Sequence, residues 1–431
     1  MTGVQTCALP ISSRLLSNKN RYPTFLRTVP PDSHQGRAIA RIVSHFGWNY
    51  VALLASDDIY GRPLAETFKT EAKKFGVCLA VDILIPFDPS EETLRKTVGE
   101  LRQNKFIEVI LLFTSEREAA EILYQVAQQD VTQKIWIGSD SWADSPKIAE
   151  DNAHIVEGMF RIINQPTVVP DFMEYFYKLN PFNNDHNPWF VEFWEEIFQC
   201  SMSEKNKTAP KGDPAPFTAT NCSREEHLAA KLLKTDAVFS RVSYVLDAVL
   251  SVVYSVRKIC NSDPATRTSG DMLLKETCIK RVTPSSVLSR IFNITFNSVT
   301  NRTVSFDKNG DGVGRYDIIN LQGKNRHNAT FLKIGEYIGK TGLLKIDSHR
   351  IHWPGGVTSP PVGRCSLECP SGTFKVVMKP LCCWECKVCP TGSISNTSGV
   401  STCTQCHSDT DRKSTRLNSS HLKLSRMPSS A

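Results

Sequence analysis

Three polar side chains follow predicted strands, at positions where an α/β protein binds its ligand. Asp32 follows the apolar run FLRTVP, Tyr60 follows NYVALLAS, and Asp140 follows KIWIGS. The carboxyl ends of parallel strands meet at one edge of a sheet, and ligands bind there. Two carboxylates and a phenol that converge at such an edge would suit an ammonium group. Each residue alone is also a common helix cap or turn residue, and that simpler interpretation stays open.

Strands and helices alternate through the segment that must position these side chains. Apolar runs that predict strands are separated by helical patterns, with Asp32 as a predicted N-cap of the first helix. This alternation predicts parallel βαβ units in an open α/β sheet. Residues 171–260 are mainly helical and aromatic, and strand patterns return around 302–320 and 330–353. The predicted strands are NYVALLAS, VCLAVDILIP, FIEVILLFTS and KIWIGSD, and the helices include HQGRAIARIVSHFG, PLAETFKTEAKKFG, SEETLRKTVGELRQNK and EREAAEILYQVAQQ.

Cysteines and glycosylation motifs indicate the compartment. The chain has 431 residues, enough for two or three domains, and 14 cysteines, which is many for a cytosolic protein. Six Asn-X-Ser/Thr acceptors accompany them, and together these features favour an oxidising, extracellular setting. The acceptors are Asn206, Asn221, Asn293, Asn301, Asn328 and Asn396.

Eight of the cysteines lie between Cys365 and Cys406, after a Gly/Pro-rich stretch that predicts a linker. Cys-x-x-Cys steps can hold zinc, but the extracellular setting favours disulfides, and a module with so few apolar residues needs covalent links. Further upstream, Cys200 with Cys222 and Cys260 with Cys278 each flank a loop and predict loop-closing disulfides. Their connectivity stays open from the sequence alone.

Other motifs carry less weight. Asp307, Asn309 and Asp311 begin like a calcium-binding loop, but the twelfth position is Ile318 where a glutamate is required, so a tight turn is predicted. We find no Gly-x-Ser-x-Gly, His-Glu-x-x-His or phosphate-loop motif, which disfavours an enzyme. No metal site and no cofactor are expected. No run of about 18 apolar residues suggests a membrane span.

The two ends of the sequence are related through DNA. One set of codons for Thr2–Ile11 has a reverse complement that encodes residues 411–420, DRKSTRLNSS, without a mismatch. This relation predicts that residues 1–11 and 411–431 derive from a sequencing adapter, the alternative being a real basic tail. The tail carries a net charge of +4 within the total of +7, which leaves +3 for the rest. A nucleic-acid partner is therefore not expected.

Several longer strings resemble the ectodomain of class C G-protein-coupled receptors, over essentially all of residues 12–410. The resemblance implies a partial bilobed Venus-flytrap domain over 12–350, with lobe 2 at about 32–165 and 305–350 and the remainder of lobe 1 at about 166–304. A linker (351–363) and a disulfide-rich β module, the connector (364–410), would follow. The first half of lobe 1 and a seven-helix membrane domain are expected to lie outside this sequence. The strings are SSRLLSNKN, FLRTVPPDSHQ, GWNYV, IYGRP, WIGSDSW, PWFVEFWEEIFQC, FDKNGDGVGRYDIINLQ and CCWECKVC.

The resemblance also implies a ligand. Asp32, Tyr60 and Asp140 match positions that bind the α-ammonium of an amino acid, and Arg241 falls where glutamate receptors place a lysine for the distal carboxylate. SSRLLSNKN, FLRT and residues 57–63 are similar to calcium-sensing receptors, whereas GSDSW and GRYDI are similar to metabotropic glutamate receptors. Calcium-sensing receptors have an apolar residue at the position of Arg241, and a solvated arginine that opens a helix is the simpler interpretation.

Disulfide pairing within the connector also follows from the resemblance. It implies Cys78–Cys382, Cys365–Cys383, Cys369–Cys386 and Cys389–Cys403, with Cys406 left without a partner. The resulting expectation is the extracellular part of a plasma-membrane receptor, a homodimer that senses a glutamate-type amino acid and acts through a heterotrimeric G protein. Ca²⁺ as the agonist and a secreted amino-acid-binding protein are the alternatives.

Overall fold

The computed structural model describes residues 11–406 except 144, 146, 147, 149, 150, 166, 183, 185, 203–219, 224–226, 230–240, 262–277, 279, 324–328 and 379–381. Two compact units are distinguished. The sheet unit takes in the described residues of 1–23, 30–164 and 314–431, and the helical unit those of 24–29 and 165–313. The assignment of these units to the lobes of a Venus-flytrap domain stays a prediction, as does the adapter origin of the ends.

The described residues form nine helices that we number and sixteen strands. The helices are α1 (Asp32–His45), α2 (Gly61–Lys73), α3 (Glu91–Gln103), α4 (Glu116–Gln128), α5 (Asp140–Ala143), α6 (Pro170–Tyr177), α7 (Phe190–Phe198), α8 (Val242–Cys260) and α9 (Pro284–Ile291). The strands are β1 (Tyr50–Ser56), β2 (Cys78–Ile85), β3 (Val109–Phe113), β4 (Ile135–Gly138), β5 (Phe160–Asn164), β6 (Cys200–Ser201), β7 (Thr220–Asn221), β8 (Thr295–Asn297), β9 (Thr303–Ser305), β10 (Arg315–Gln322), β11 (Thr330–Ile338), β12 (Leu343–Ile346), β13 (Thr373–Val377), β14 (Trp384–Val388), β15 (Ser393–Ile394) and β16 (Thr404–Gln405).

An eight-stranded sheet is the centre of the sheet unit, in the order β12-β11-β10-β5-β4-β3-β1-β2. Strands β1 to β5 pair in parallel, and β10 to β12 add an antiparallel edge. Every residue of β1, β3 and β4 is buried, because helices cover both faces of a parallel sheet. The predicted α/β sheet with parallel βαβ units is confirmed.

Helices that cover this sheet begin where the sequence provides caps. Ser90 and Ser115 accept hydrogen bonds from backbone N–H groups in the first turns of α3 and α4, and Glu118 completes a capping box on α4. The prediction for Asp32 was wrong in one detail. Pro31 is the N-cap of α1 and Asp32 is its first helical residue, because Pro31 already has the extended backbone that an N-cap requires.

The helical unit has a smaller apolar interior, and two ion pairs are buried in it. Arg27 donates from Nε to Oδ1 of Asp311 at 2.7 Å, and both side chains are buried. Arg302 pairs with Asp247, a fully buried residue of α8, and its guanidinium lies 4.1 Å from the centre of the Tyr244 ring. These pairs satisfy charges that would otherwise be costly to bury.

Helix α8 has an unusual distribution of side chains. Its buried residues include four polar ones spaced four apart, whereas several valines on the same helix are exposed by 45–64%. A surface helix of a folded domain normally buries its apolar stripe. The buried polar residues are Ser243, Asp247, Ser251 and Ser255, and the exposed valines, which we term the valine face, are Val245, Val249, Val252 and Val253.

Residues 351–363, predicted as a linker, pack along the sheet unit. Trp353 is only 3% exposed and lies among the rings of Phe46, Trp48 and Phe160. The Trp48 ring N–H donates to the carbonyl of Pro361 at 2.9 Å. The Gly/Pro composition predicted a linker, and the buried indole and this hydrogen bond attach it to the sheet unit; we call residues 351–363 the strap.

Candidate functional site

The carboxyl edge of the sheet brings Tyr60 and Asp140 into contact. Tyr60 precedes α2 after β1, and Asp140 begins α5 after β4. The Tyr60 hydroxyl donates to Oδ1 of Asp140 at 3.3 Å. Asp32, at the start of α1, is 5% exposed and lies close enough for its charge to act on the same hydroxyl. The three residues singled out from the sequence therefore lie together.

Tyr60 remains a phenol over the physiological pH range. Burial raises the pKa of Tyr60 well above its usual value of about 10, because a phenolate would lose its hydration. The negative charges of Asp140 and then Asp32 raise this pKa further. A protonated hydroxyl can donate to Asp140 and still accept from a ligand N–H.

Asp58 places Tyr60. Its Oδ1 accepts hydrogen bonds from the Ser56 hydroxyl at 2.9 Å, the Tyr60 N–H at 2.9 Å and the Gly61 N–H at 2.7 Å. A Cβ atom at Gly61 would lie 2.4 Å from the Ser56 carbonyl oxygen, so only glycine fits this close turn. Asp58 was not among the predicted site residues, although an aspartate in a turn between a strand and a helix is a signal for this geometry.

Three buried polar atoms lie beside this cluster; those of Thr114 and Asn164 have no hydrogen-bond partner among the described residues, and that of Ser139 interacts with the Tyr60 hydroxyl. They are Oγ1 of Thr114, Oγ of Ser139 and Oδ1 of Asn164. Each follows or ends one of the central strands β3, β4 and β5. Buried polar atoms of this kind are usually satisfied by water or a ligand. The carboxyl edge is therefore polar across three neighbouring strands, and none of these three residues was predicted.

Arg241 belongs to the helical unit. It is exposed and is the residue directly before α8, where its carbonyl accepts from the N–H groups of Tyr244 and Val245 at 3.1 and 3.3 Å. This is the placement expected of an arginine that opens a helix. Its predicted contact with a ligand carboxylate stays a prediction.

Twelve of the predicted cysteines form six disulfides, with the partners that the sequence and the resemblance implied. Cys406 is the free cysteine among the described residues. Sulfurs held in disulfides are not thiolate ligands, so the structure provides disulfides where zinc was the alternative. The Cα–Cα distances are 5.9 Å for Cys78–Cys382, 4.9 Å for Cys200–Cys222, 5.2 Å for Cys260–Cys278, 5.5 Å for Cys365–Cys383, 5.4 Å for Cys369–Cys386 and 5.8 Å for Cys389–Cys403.

The Cys78–Cys382 disulfide joins the first residue of β2 to the connector. The strap adds noncovalent contacts to the same unit, because Glu157 accepts from the Gly355 N–H at 3.2 Å and lies 2.6 Å from Nε2 of His352. The N–H of Tyr50 also donates to the carbonyl of Gly363 at 3.0 Å. The sheet and the connector are therefore attached at several points.

Predicted surface sites fall in two groups. Asn221, Asn293, Asn301 and Asn396 are exposed, as a glycosylation acceptor must be, whereas Asn206 and Asn328 lie outside the described residues.

Asp307 accepts from the N–H groups of Asn309 and Asp311 at 2.8 and 3.0 Å, which is the geometry of the predicted tight turn.

Comparison with known sequences agrees with this architecture. The profile of the receptor family ligand binding region matches residues 5–324. The profile of the nine cysteines domain of family 3 GPCR matches residues 360–411. This chain belongs to the class C receptor ectodomain family. It is a family of ligand-binding regions and not of enzymes.

Individual relatives of this class C ectodomain include two kinds of receptor. The extracellular calcium-sensing receptor of Homo sapiens is 33% identical over 416 residues, covering 90% of this chain and 38% of the relative. The metabotropic glutamate receptor of Drosophila melanogaster is 28% identical over 410 residues, covering 88% and 41%. Metabotropic glutamate receptor 6 of Oryctolagus cuniculus is 29% identical over 382 residues, covering 87% and 42%. The chain thus spans about two fifths of the length of these relatives. Within the described residues, no helix is both long and apolar enough to cross a membrane.

Proposed function

We propose that this class C ectodomain binds an extracellular amino acid with an acidic side chain. Asp32, Tyr60 and Asp140 would bind the ammonium group. The observation that carries the proposal is the contact of Tyr60 with Asp140 at the carboxyl edge of the sheet, with the Asp32 charge beside it. Two carboxylates and one phenolic oxygen match the three N–H donors of a primary ammonium.

Arg241 supports an acidic ligand. It is an exposed cation before α8, and a guanidinium can bind a carboxylate with two parallel hydrogen bonds. If Arg241 binds the distal carboxylate, as the resemblance implies, a neutral amino acid would lack this contact. We therefore propose glutamate or a close analogue as the agonist.

The connector would transmit ligand binding to a membrane domain. Joined by the Cys78–Cys382 disulfide and the strap, the sheet and the start of the connector would move as one body. In the proposed receptor, this movement would be passed to a seven-helix domain in the plasma membrane, which activates a heterotrimeric G protein. The receptor would act as a homodimer.

A concentration–response experiment on the full-length receptor tests this function. L-glutamate, L-glutamine and Ca²⁺ are added separately to cells that express the receptor, and inositol phosphate release is measured. L-glutamate should be the more potent of the two amino acids and should act without added Ca²⁺. A receptor that responds to neither amino acid contradicts the proposal.

Calcium sensing is the second candidate function. Carboxylate oxygens are the ligands that Ca²⁺ prefers, and Asp32 and Asp140 both act on the Tyr60 hydroxyl. The nearby acidic residues Asp57 and Asp58 do not strengthen this candidate, because Asp57 pairs with Arg62 and Asp58 accepts three hydrogen bonds in its own turn. A response to Ca²⁺ alone, unchanged by L-glutamate, would favour this candidate.

A further inference from the structure

Asn164 is a second residue that contacts the carboxylate of Asp140. It follows Asp140 in the chain, whereas Tyr60 precedes it. It is the last residue of β5, which pairs with β4, the strand that leads to Asp140. Nδ2 of Asn164 donates to Oδ2 of Asp140 at 3.3 Å, and the Tyr60 hydroxyl donates to Oδ1 at 3.3 Å. The two oxygens of Asp140 therefore each accept a hydrogen bond, one from Tyr60 and one from Asn164.

A second asparagine of the same sheet shows what a structural role looks like. Nδ2 of Asn320, on β10, donates to the backbone carbonyls of Gly158 and His352 at 3.0 and 3.2 Å, and Oδ1 accepts from the His352 N–H at 2.8 Å. The Asn164 amide has no such backbone contact among the described residues, and its Oδ1 is without a partner there. The side chain of Asn164 is therefore directed to Asp140 and not to the fold.

We propose that Asn164 is a positioning residue for ammonium recognition, which fixes the plane of the Asp140 carboxylate before the ligand arrives. This inference rests on the proposed function of Asp140. A carboxylate turns easily about its terminal torsion, and two donors on different oxygens hold it in one orientation. The carboxylate then meets the ligand in one orientation, without a loss of side-chain freedom on binding.

The first test is the variant Asn164→Leu in the full-length receptor, with L-glutamate as the probe. Leucine has nearly the same size but cannot donate a hydrogen bond. We expect about tenfold lower potency, as for one hydrogen bond to a charged group. The maximal response and the amount of receptor at the surface should stay unchanged. Unchanged potency overturns the proposal. Asn320→Leu is the control and should lower the amount at the surface.

A double-mutant cycle separates positioning from a general structural effect. Asp140→Glu keeps the charge but moves it one methylene away from the Asn164 amide. In that background, Asn164→Leu should change the potency of L-glutamate by less than about twofold, because the contact is already lost. An equal loss of potency in both backgrounds means that Asn164 does not act through Asp140 and overturns the proposal.

A third measurement needs no agonist and separates this inference from the proposed function. In a crystal structure of the unliganded Asn164→Leu ectodomain, the Asp140 carboxylate should occupy more than one orientation while Asp32 keeps one. A single, unchanged orientation of Asp140 overturns the positioning role. If Asp140 becomes disordered and the parent receptor still responds to no amino acid, the positioning role stands and the proposed agonist class is wrong.

Discussion

The sheet and the connector reach stability in different ways. Strands β1, β3 and β4 are buried along their whole length, and their apolar side chains fill the space under the helices. In β13 and β14 no residue is fully buried. Among the described residues of the connector, the buried ones are Cys369, Cys382, Cys383 and Ser395. The sheet is therefore held by apolar burial and the connector by disulfides, and under the proposed function the first would bind the ligand and the second would transmit the signal.

The largest effect is expected when the disulfide between the sheet and the connector is removed. In the double variant Cys78→Ser/Cys382→Ser, we expect L-glutamate still to bind, because the carboxyl edge is unchanged, while most of the maximal response is lost. Radioligand binding and inositol phosphate release measure the two properties separately. Cys200→Ser/Cys222→Ser removes a disulfide of the helical unit and should keep the maximal response. An undiminished response in the first variant would show that the noncovalent strap is sufficient.

Two leucines test the source of stability. Leu112 of β3 is fully buried, and Leu112→Ala should lower the free energy of unfolding of the ectodomain by about 2–5 kcal/mol. Leu367 of the connector is 76% exposed, and Leu367→Ala should change it by less than about 0.5 kcal/mol. Urea denaturation measures both. Similar losses for the two variants would contradict the distinction between apolar burial and disulfides.

Recognition should depend on Asp140. Asp140→Ala removes a charge-assisted contact worth about 1.5–3 kcal/mol, so the potency of L-glutamate should fall tenfold or more with no change in maximal response. Asp57→Ala is the matched control. Asp57 forms a surface pair with Arg62, and such pairs contribute little. The assignment of recognition to the carboxyl edge fails if the Asp140 variant keeps its potency.

A smaller change is expected at Arg241, in the helical unit. Arg241→Ala should reduce the preference for L-glutamate over L-glutamine by about three- to tenfold, because an exposed charge contributes less than a buried one. Potency ratios for the two amino acids give the measurement. Arg241→Lys keeps the charge and should preserve part of the preference. If the ratio is already one in the parent receptor, Arg241 has no role in selectivity.

The smallest effect is spectroscopic. Because the pKa of Tyr60 is raised in the folded protein, this tyrosine should stay protonated after pH 10 is passed. The stabilising contact with Asp140 is thus fully present below the unfolded pKa of about 10 and is lost as the pH rises through the folded value. In an absorbance titration, Tyr60→Phe should lack one tyrosine ionisation above pH 10 that the parent protein shows. Tyr124→Phe, at an exposed position, is the control for the absorbance change.

Local patterns were sufficient to predict the parallel sheet and the cluster at its edge. Alternating apolar runs predicted the strands, and a position just after a strand was enough to select Asp32, Tyr60 and Asp140. Asn164 could not be found in this way. Its importance depends on β5 lying beside β4, and that neighbour relation is set by the whole sheet and not by any nearby residue.

The strap was also beyond local patterns. Its Gly and Pro residues predicted a linker, and the buried Trp353 could be recognised only once Phe46 and Phe160 had been brought together from distant parts of the chain. Helix α8 shows the opposite problem. A helix with this apolar composition would be expected to bury its valines, but the described residues bury its serines and Asp247 and expose its valines.

The Cys78–Cys382 disulfide has a consequence for biosynthesis. The two cysteines are 304 residues apart, whereas the three disulfides within the connector span only 14 to 18 residues. At a translation rate of about 5–20 residues per second, Cys78 would wait roughly 15–60 s for its partner to be made. Cys200 and Cys222 are synthesised during that interval and could capture it. Correct maturation of this protein should therefore depend on disulfide isomerases more strongly than the short connector loops suggest, and Cys78 is the thiol to trap in newly made chains.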